Sequence, residues 1–248
     1  TGLGLASRRN RVVANNAAVV NRLRAAGAVV LGKTETDEAA LGTTGSTAAH
    51  GPTRNPLRPD LICGGSSAGS AVAVAAGLCS FAIGTDTLGS VRIPAACTGI
   101  VGIKPGGGVV PCDLGETDWY GLSENGALGT TVADAALLLS VLAADPSLAV
   151  LNDVPTLKIA VSTRPPVQGV KVDREHVRAL FTAAAALMRD GHDVERHDPT
   201  YPNSAAVAGL ARWFAGTWAD AEKLDPALLE PARRLARPDP LSPARGLA

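Results

Sequence analysis

Two stretches decide how this chain folds: Cys63-Gly64-Gly65-Ser66-Ser67-Ala68-Gly69-Ser70, and Gly84-Thr85-Asp86-Thr87-Leu88-Gly89-Ser90-Val91-Arg92-Ile93-Pro94-Ala95-Ala96. Each joins a glycine-rich turn to a run that can become a helix. The first opens onto Ser67 to Leu78, which is almost wholly small and apolar and reads as a buried helix. The second follows the apolar run Ser80 to Gly84, a core strand, and leads into a short helix at Ile93 to Thr98 with Pro94 in its first turn. A turn of this kind sets a hydroxyl beside several backbone N–H groups. That is what an acyl-transfer site needs for its nucleophile and its oxyanion.

Outward from these turns the chain alternates between helix and strand. Asn16 to Ala26 reads as an amphipathic helix ended by Gly27, and Ala28 to Leu31 as a short buried strand. A short helix is expected at Asp37 to Leu41, then a long ordered loop from Gly42 to Leu61, rich in Gly, Thr, Asn and Pro. Val101 to Ile103 is a strand. Val132 to Ala143 is a helix capped by Thr130 or Thr131. Leu157 to Val161 is a strand, Arg174 to Asp190 a long helix, and Asp193 to Arg196 a further strand. This order predicts an α/β fold with a mostly parallel sheet. From Tyr201 the signal is helical, and Arg237 to Ala248 has no core face and is expected to be loose.

Composition bounds the function classes. The chain has 248 residues, 46% hydrophobic and 19% charged, which suits a globular protein with a sizeable core. Basic and acidic residues balance at 23 each and aromatics are 3%, so neither charge nor stacking surface points to nucleic acid. No apolar run is long enough to suggest a membrane span, and no signal peptide is visible. Cys63, Cys79, Cys97 and Cys112 are dispersed without CxxC spacing, which argues against a zinc site and for a reduced, cytoplasmic protein. The first residue is Thr1 rather than Met, which suggests a processed or partial chain.

The two motifs resemble the amidase signature family of serine hydrolases, and the likeness runs from about Thr1 to Ala143. The resemblance implies an α/β/α sandwich around a mixed, largely parallel central sheet, incomplete in this chain, as one partial domain over 1–248. It implies hydrolysis of a small-molecule carboxylic amide to acid plus ammonia or amine, without metal or organic cofactor. Ser90 then stands as nucleophile. Ser66, after a cis Gly65–Ser66 bond, relays the proton. The N–H groups of Thr87, Leu88, Gly89 and Ser90 form the oxyanion hole, and Asp86 and Arg92 pair to hold the turn. A lysine completes the family's triad. It belongs to a segment earlier than any in this sequence, so Lys33, in Leu31-Gly32-Lys33-Thr34-Glu35, is expected to be a surface residue rather than the base. The chain by itself is therefore expected to be inactive or nearly so. Asn55-Pro56 is expected to brace the loop before Ser66, and Gly42 to Gly45 to line an acyl pocket. Two positions depart from the family pattern: Leu88 where glycine is usual, and Cys63 where proline is common. Self-association as a homodimer is left open.

Three other readings compete. Gly65-Ser66-Ser67-Ala68-Gly69 also satisfies the G-x-S-x-G elbow of α/β hydrolases, with Ser67 as nucleophile and His192 or His197 as base. A non-catalytic or truncated amidase-like protein is the second. The glutamine-amidase subunit of a tRNA-dependent amidotransferase is the third, though Gly121-Leu122-Ser123-Glu124-Asn125-Gly126-Ala127-Leu128 looks more like free-standing amidases.

Overall fold

The structure, a computed structural model, describes residues 2–8, 10–113, 118–165, 169–202, 204–222 and 224. The described residues form two compact units, one made of those up to Leu151 together with those from Arg212 onward, the other of those between Asn152 and Ala211.

In the first unit the elements run α1 (Ala18–Ala25), β1 (Ser46–Thr47), β2 (Gly51–Pro52), α2 (Ala68–Ala75), β3 (Phe81–Asp86), α3 (Arg92–Thr98), β4 (Val101–Ile103), the left-handed turn α4 (Asp118–Gly121), β5 (Glu124–Gly129) and α5 (Val132–Ala143). The strands β3, β5 and β4 lie side by side in that order. One face of this sheet packs Ala127 against Val19 of α1 and Leu138, Leu139 and Leu142 of α5. The other packs Leu128 against Ala71 and Val74 of α2 and Val91 and Ala95 beside and within α3. Successive residues of a strand face opposite ways, so Ala127 and Leu128 divide between two helical layers. The result is helix, sheet, helix.

The strand β5 has no counterpart among the expected elements, nor do the two-residue strands β1 and β2 inside the expected loop or the turn α4. Glu124-Asn125-Gly126-Ala127-Leu128-Gly129 is poor in β-branched residues, yet all six positions are buried. It fits because it is thin. A Cβ at Gly126 would lie 2.6 Å from the Ile103 carbonyl oxygen and 3.0 Å from Val91. Its place also corrects the expected strand direction. β5 lies between β3 and β4 and is antiparallel to both, so β3 and β4 run the same way without being neighbours.

Most other elements fall within a residue or two of expectation. Thr131 caps α5, its Oγ1 accepting the Asp134 N–H at 3.1 Å while donating to the Asp134 carboxylate at 2.7 Å. The short helix expected at Asp37 is a 3-10 turn at Glu38–Ala40. Ala28 to Leu31 is a correction. No ladder among the described residues pairs with it, and Val29 is 83% exposed, so it is neither a strand nor buried. A strand exists only where its N–H and C=O groups find a neighbour.

In the second unit β6 (Lys158–Val161), α6 (Arg174–Arg189) and β7 (Asp193–Arg196) form a strand–helix–strand with the strands parallel. Asp173 caps α6 by accepting the Glu175 N–H at 2.7 Å. The helix α7 (Ala205–Ala221) enters the first unit from Arg212 onward. There the indole N–H of Trp119 donates to Asp220 at 2.7 Å. The expected loose stretch 237–248 lies outside the described residues.

Candidate active site

The strand β3 ends at Asp86, and the chain must reverse before α3 can begin. Asp86 organises that reversal. Its Oδ1 accepts the Gly89 N–H at 2.7 Å, and its Oδ2 accepts the N–H groups of Val91 at 3.1 Å and Arg92 at 3.4 Å. The Arg92 guanidinium adds a two-pronged contact, Nε to Oδ2 at 3.0 Å and Nη2 to Oδ1 at 2.9 Å. The carboxylate is fully buried, whereas the Arg92 side chain is half exposed. Burial pushes the Asp86 carboxyl up. The Arg92 guanidinium and the Val91 and Gly89 N–H groups outweigh that, and the net shift is downward from the ordinary 3.8. Asp86 is therefore an ionised brace for the turn.

This arrangement revises one expected role. The Gly89 N–H, expected in the oxyanion hole, is committed to Asp86. Among the described residues no hydrogen bond engages the N–H groups of Thr87, Leu88 or Ser90. Leu88 is 55% exposed, so its side chain projects into solvent rather than into the turn. A leucine is accommodated there for that reason. Ser90 is buried at the end of the turn.

The first serine motif meets the second through the backbone. The Ser67 N–H donates to the Ser90 carbonyl at 3.1 Å. The Ser67 hydroxyl donates to the Thr85 carbonyl at 3.1 Å and accepts the Thr85 N–H at 3.0 Å, so it pins the motif to β3. A hydroxyl spent on two backbone bonds is poorly placed as an elbow nucleophile. His192 Nδ1 accepts the Leu157 N–H at 3.2 Å, and His197 is exposed. Neither the serine nor the histidines support the elbow reading.

Ser66 is fully buried, and the Gly65–Ser66 peptide bond is cis. Its Oγ has no hydrogen-bond partner among the described residues. The carbonyl of Ser66 accepts the Asp37 N–H at 3.4 Å. Asp37, expected only as the start of a short helix, is fully buried. Its carboxylate accepts Gly45 N–H at 3.1 Å, Ser46 N–H at 3.2 Å and the Thr44 hydroxyl at 3.3 Å. It thereby folds the loop 44–46 onto the serine motif. A Cβ at Gly65 would collide with Asp37 Oδ2 and lie 2.9 Å from the Gly45 nitrogen, so only glycine fits there. The sequence signal was an Asp followed closely by Gly-Thr-Thr-Gly-Ser, a loop of free N–H groups in need of an acceptor.

Supporting contacts complete the frame. Asn55, 4% exposed, donates from Nδ2 to the Cys97 carbonyl at 2.7 Å and accepts the Leu57 N–H at 2.9 Å, bracing the loop as expected. Ser123, not singled out from sequence, places its Oγ 2.6 Å from Thr87 Oγ1. Burial pushes the Cys63 thiol up to about 11, and its Sγ donates to the Thr53 carbonyl at 3.1 Å. It is inert packing rather than a nucleophile. Lys33 is exposed. No group of His, Cys, Asp or Glu among the described residues is arranged to hold a metal ion.

Fold and site together define an α/β/α protein whose strand-to-helix turn presents a serine beside free backbone N–H groups. A family profile described as Amidase matches residues 1–235, and the chain belongs to that family. AmiB2 of Mycobacterium tuberculosis (strain ATCC 25618 / H37Rv) is 41% identical over 215 residues, covering 84% of this chain and 46% of that protein. One of the subunits of a glutamyl-tRNA(Gln) amidotransferase from Synechococcus sp. (strain WH7803) is 45% identical over 162 residues, 62% of this chain and 32% of that one. Among solved structures, 6-aminohexanoate cyclic dimer hydrolase with its substrate superimposes with a TM-score of 0.80 at 30% identity, covering 94% of this chain and 54% of the other. A structure described as an amidase gives 0.77 at 32% identity, covering 91% and 52%. The chain thus spans about half the length of the mycobacterial relative and of these solved structures.

Proposed function

We propose that the protein hydrolyses carboxylic amides to acid plus ammonia or amine, with Ser90 as nucleophile. The Ser90 oxygen adds to the amide carbonyl carbon, and the N–H groups of Thr87, Leu88 and Ser90 receive the developing negative oxygen. The Ser90 proton passes to Ser66 and on to the lysine that the family resemblance implies, and it is returned to the departing nitrogen as the C–N bond breaks. Water then cleaves the acyl-serine ester. Gly89 contributes by tying the turn to Asp86, and Arg92 by holding Asp86 in place.

The observation that carries this reading is the turn itself. Asp86 fixes it with five donors, and three further N–H groups beside Ser90 stay unengaged among the described residues. These donors are available to the carbonyl oxygen of a substrate. The free-standing amidase reading is favoured over the amidotransferase reading because the mycobacterial relatives align over more of this chain. The free cysteines among the described residues fit a cytoplasmic enzyme. No helix of the described residues is long and apolar enough to cross a membrane. The test is ammonia release from a panel of simple aliphatic and aromatic amides by the full-length protein and its Ser90→Ala variant. Release that depends on Ser90 supports the reading. Release that survives the substitution overturns it.

A further inference from the structure

At the Ser123–Glu124 end of β5 lies a cavity of about 390 Å³, with Arg22, Val110, Cys112, Asp118, Ser123 and Glu124 in its wall. Two contacts tie it to the Ser90 turn. Ser123 touches Thr87 hydroxyl to hydroxyl, and Glu124 stands directly opposite Asp86 in the β3–β5 ladder. Directly opposed residues of an antiparallel pair share a face of the sheet, so two buried carboxylates are neighbours there.

Their situations differ. Asp86 has five N–H donors, two of them from the Arg92 guanidinium. Glu124, 5% exposed, has one donor: its Oε1 accepts the Gly108 N–H at 3.3 Å, and its Oε2 has no hydrogen-bond partner among the described residues. No ion pair joins Glu124 to a cation of the described residues. Arg92 is spent on Asp86, and Arg22, though in the same wall, donates to the Leu142 carbonyl. A buried carboxylate oxygen without a donor is costly, and structures retain such a group where something else satisfies it. A primary ammonium supplies a compact positive charge and three N–H donors. Val109 and Val110 in the same wall offer apolar contact for its methylene chain.

We propose that this cavity binds a primary alkylammonium group, with Glu124 as the counter-charge, and that amides carrying such a group are the preferred substrates. The second clause rests on the hydrolase reading, whereas the binding site does not.

The test has two arms, both on the full-length protein. In the first, calorimetry follows n-butylammonium chloride, with n-butanol as the neutral control. Wild type is expected to bind the cation saturably and more tightly than the alcohol. Glu124→Gln is expected to weaken it about tenfold or more, the range of a lost charge-assisted contact. Val109→Trp keeps the carboxylate and narrows the cavity, and it should weaken the cation as well. Wild type that binds the cation no better than the alcohol overturns the site, whatever becomes of the variants. So does undiminished binding in a folded Glu124→Gln protein. In the second arm, kcat/KM is compared for ω-aminoalkanamides of increasing length, each against its methyl-terminated isostere. A preference for the amine that falls to near unity in Glu124→Gln is expected. Cation binding without hydrolysis of either series would sink the hydrolase reading and leave the site standing. Hydrolysis of both series alike, without cation binding, would sink the site and leave the hydrolase reading standing.

Discussion

Ser67 and Ser90 are joined backbone to backbone, the Ser67 N–H donating to the Ser90 carbonyl at 3.1 Å. That bond makes one unit of two motifs distant in sequence. Ser66 precedes the donor and Ser90 is the acceptor, so the proposed relay and nucleophile are held by the same contact. The Ser67 hydroxyl fixes the pair to β3 through Thr85. Ser66→Ala should leave the fold intact and lower kcat by roughly 10²–10⁴, the range for lost proton-transfer help. Near-native turnover in that variant would reduce Ser66 to a turn residue.

The buried Asp86 carboxylate links the turn to pH. Its pKa lies below the ordinary 3.8 because Arg92 and the turn's N–H groups favour the ionised form over the opposing effect of burial. A depressed carboxylate contributes stability that is present above its unfolded pKa and is lost as pH falls through the folded value. Asp86→Asn should therefore cost about 1.5–3 kcal/mol at neutral pH, the range for hydrogen bonds to a charged group. The gap from wild type should narrow in acid, below about pH 4. Denaturant melts at several pH values check this, and a gap that widens as pH falls would contradict the brace.

Leu88 stands where the family pattern has glycine, and its exposure makes the substitution neutral for the turn. Leu88→Gly should leave turnover on small amides within about a factor of two to three and change stability by no more than about 1 kcal/mol. A large rise in kcat would show that the leucine side chain obstructs the site after all.

Cysteine reactivity offers a chemical check on burial. Cys63 is fully buried with its thiol pushed up to about 11, whereas Cys97 is exposed. At mildly alkaline pH, iodoacetamide should label Cys97 in the native protein and reach Cys63 only after unfolding. Rapid native labelling of Cys63 would contradict the packing of the loop around it.

How much of this was legible in the sequence follows from where the physics is local. Thr131 and Val132 to Ala143 declare a helix because the cap and the apolar stripe lie within one segment. Ser90, Asp86 and Arg92 could be singled out because the motif that carries the family resemblance is one short, continuous stretch. β5 was not legible. Glu124 and Asn125 carry no strand signal of their own, and their burial depends on β3 and β4, which flank them in space. Ala28 to Leu31 erred the other way, since an apolar run says nothing about whether a ladder partner is present. Asp37 and Glu124 were missed as site residues for the same reason. What marks them is the donors around them, in loops far along the chain.

If Ser90 is the nucleophile, a covalent serine probe should mark it. The full-length protein would be treated with a fluorophosphonate probe, digested, and the modified peptide sequenced by mass spectrometry. Phosphonylation is expected on Ser90 and is expected to be lost in Ser90→Ala. Label on Ser67, or an amide-hydrolysing protein with no label on Ser90, would contradict it.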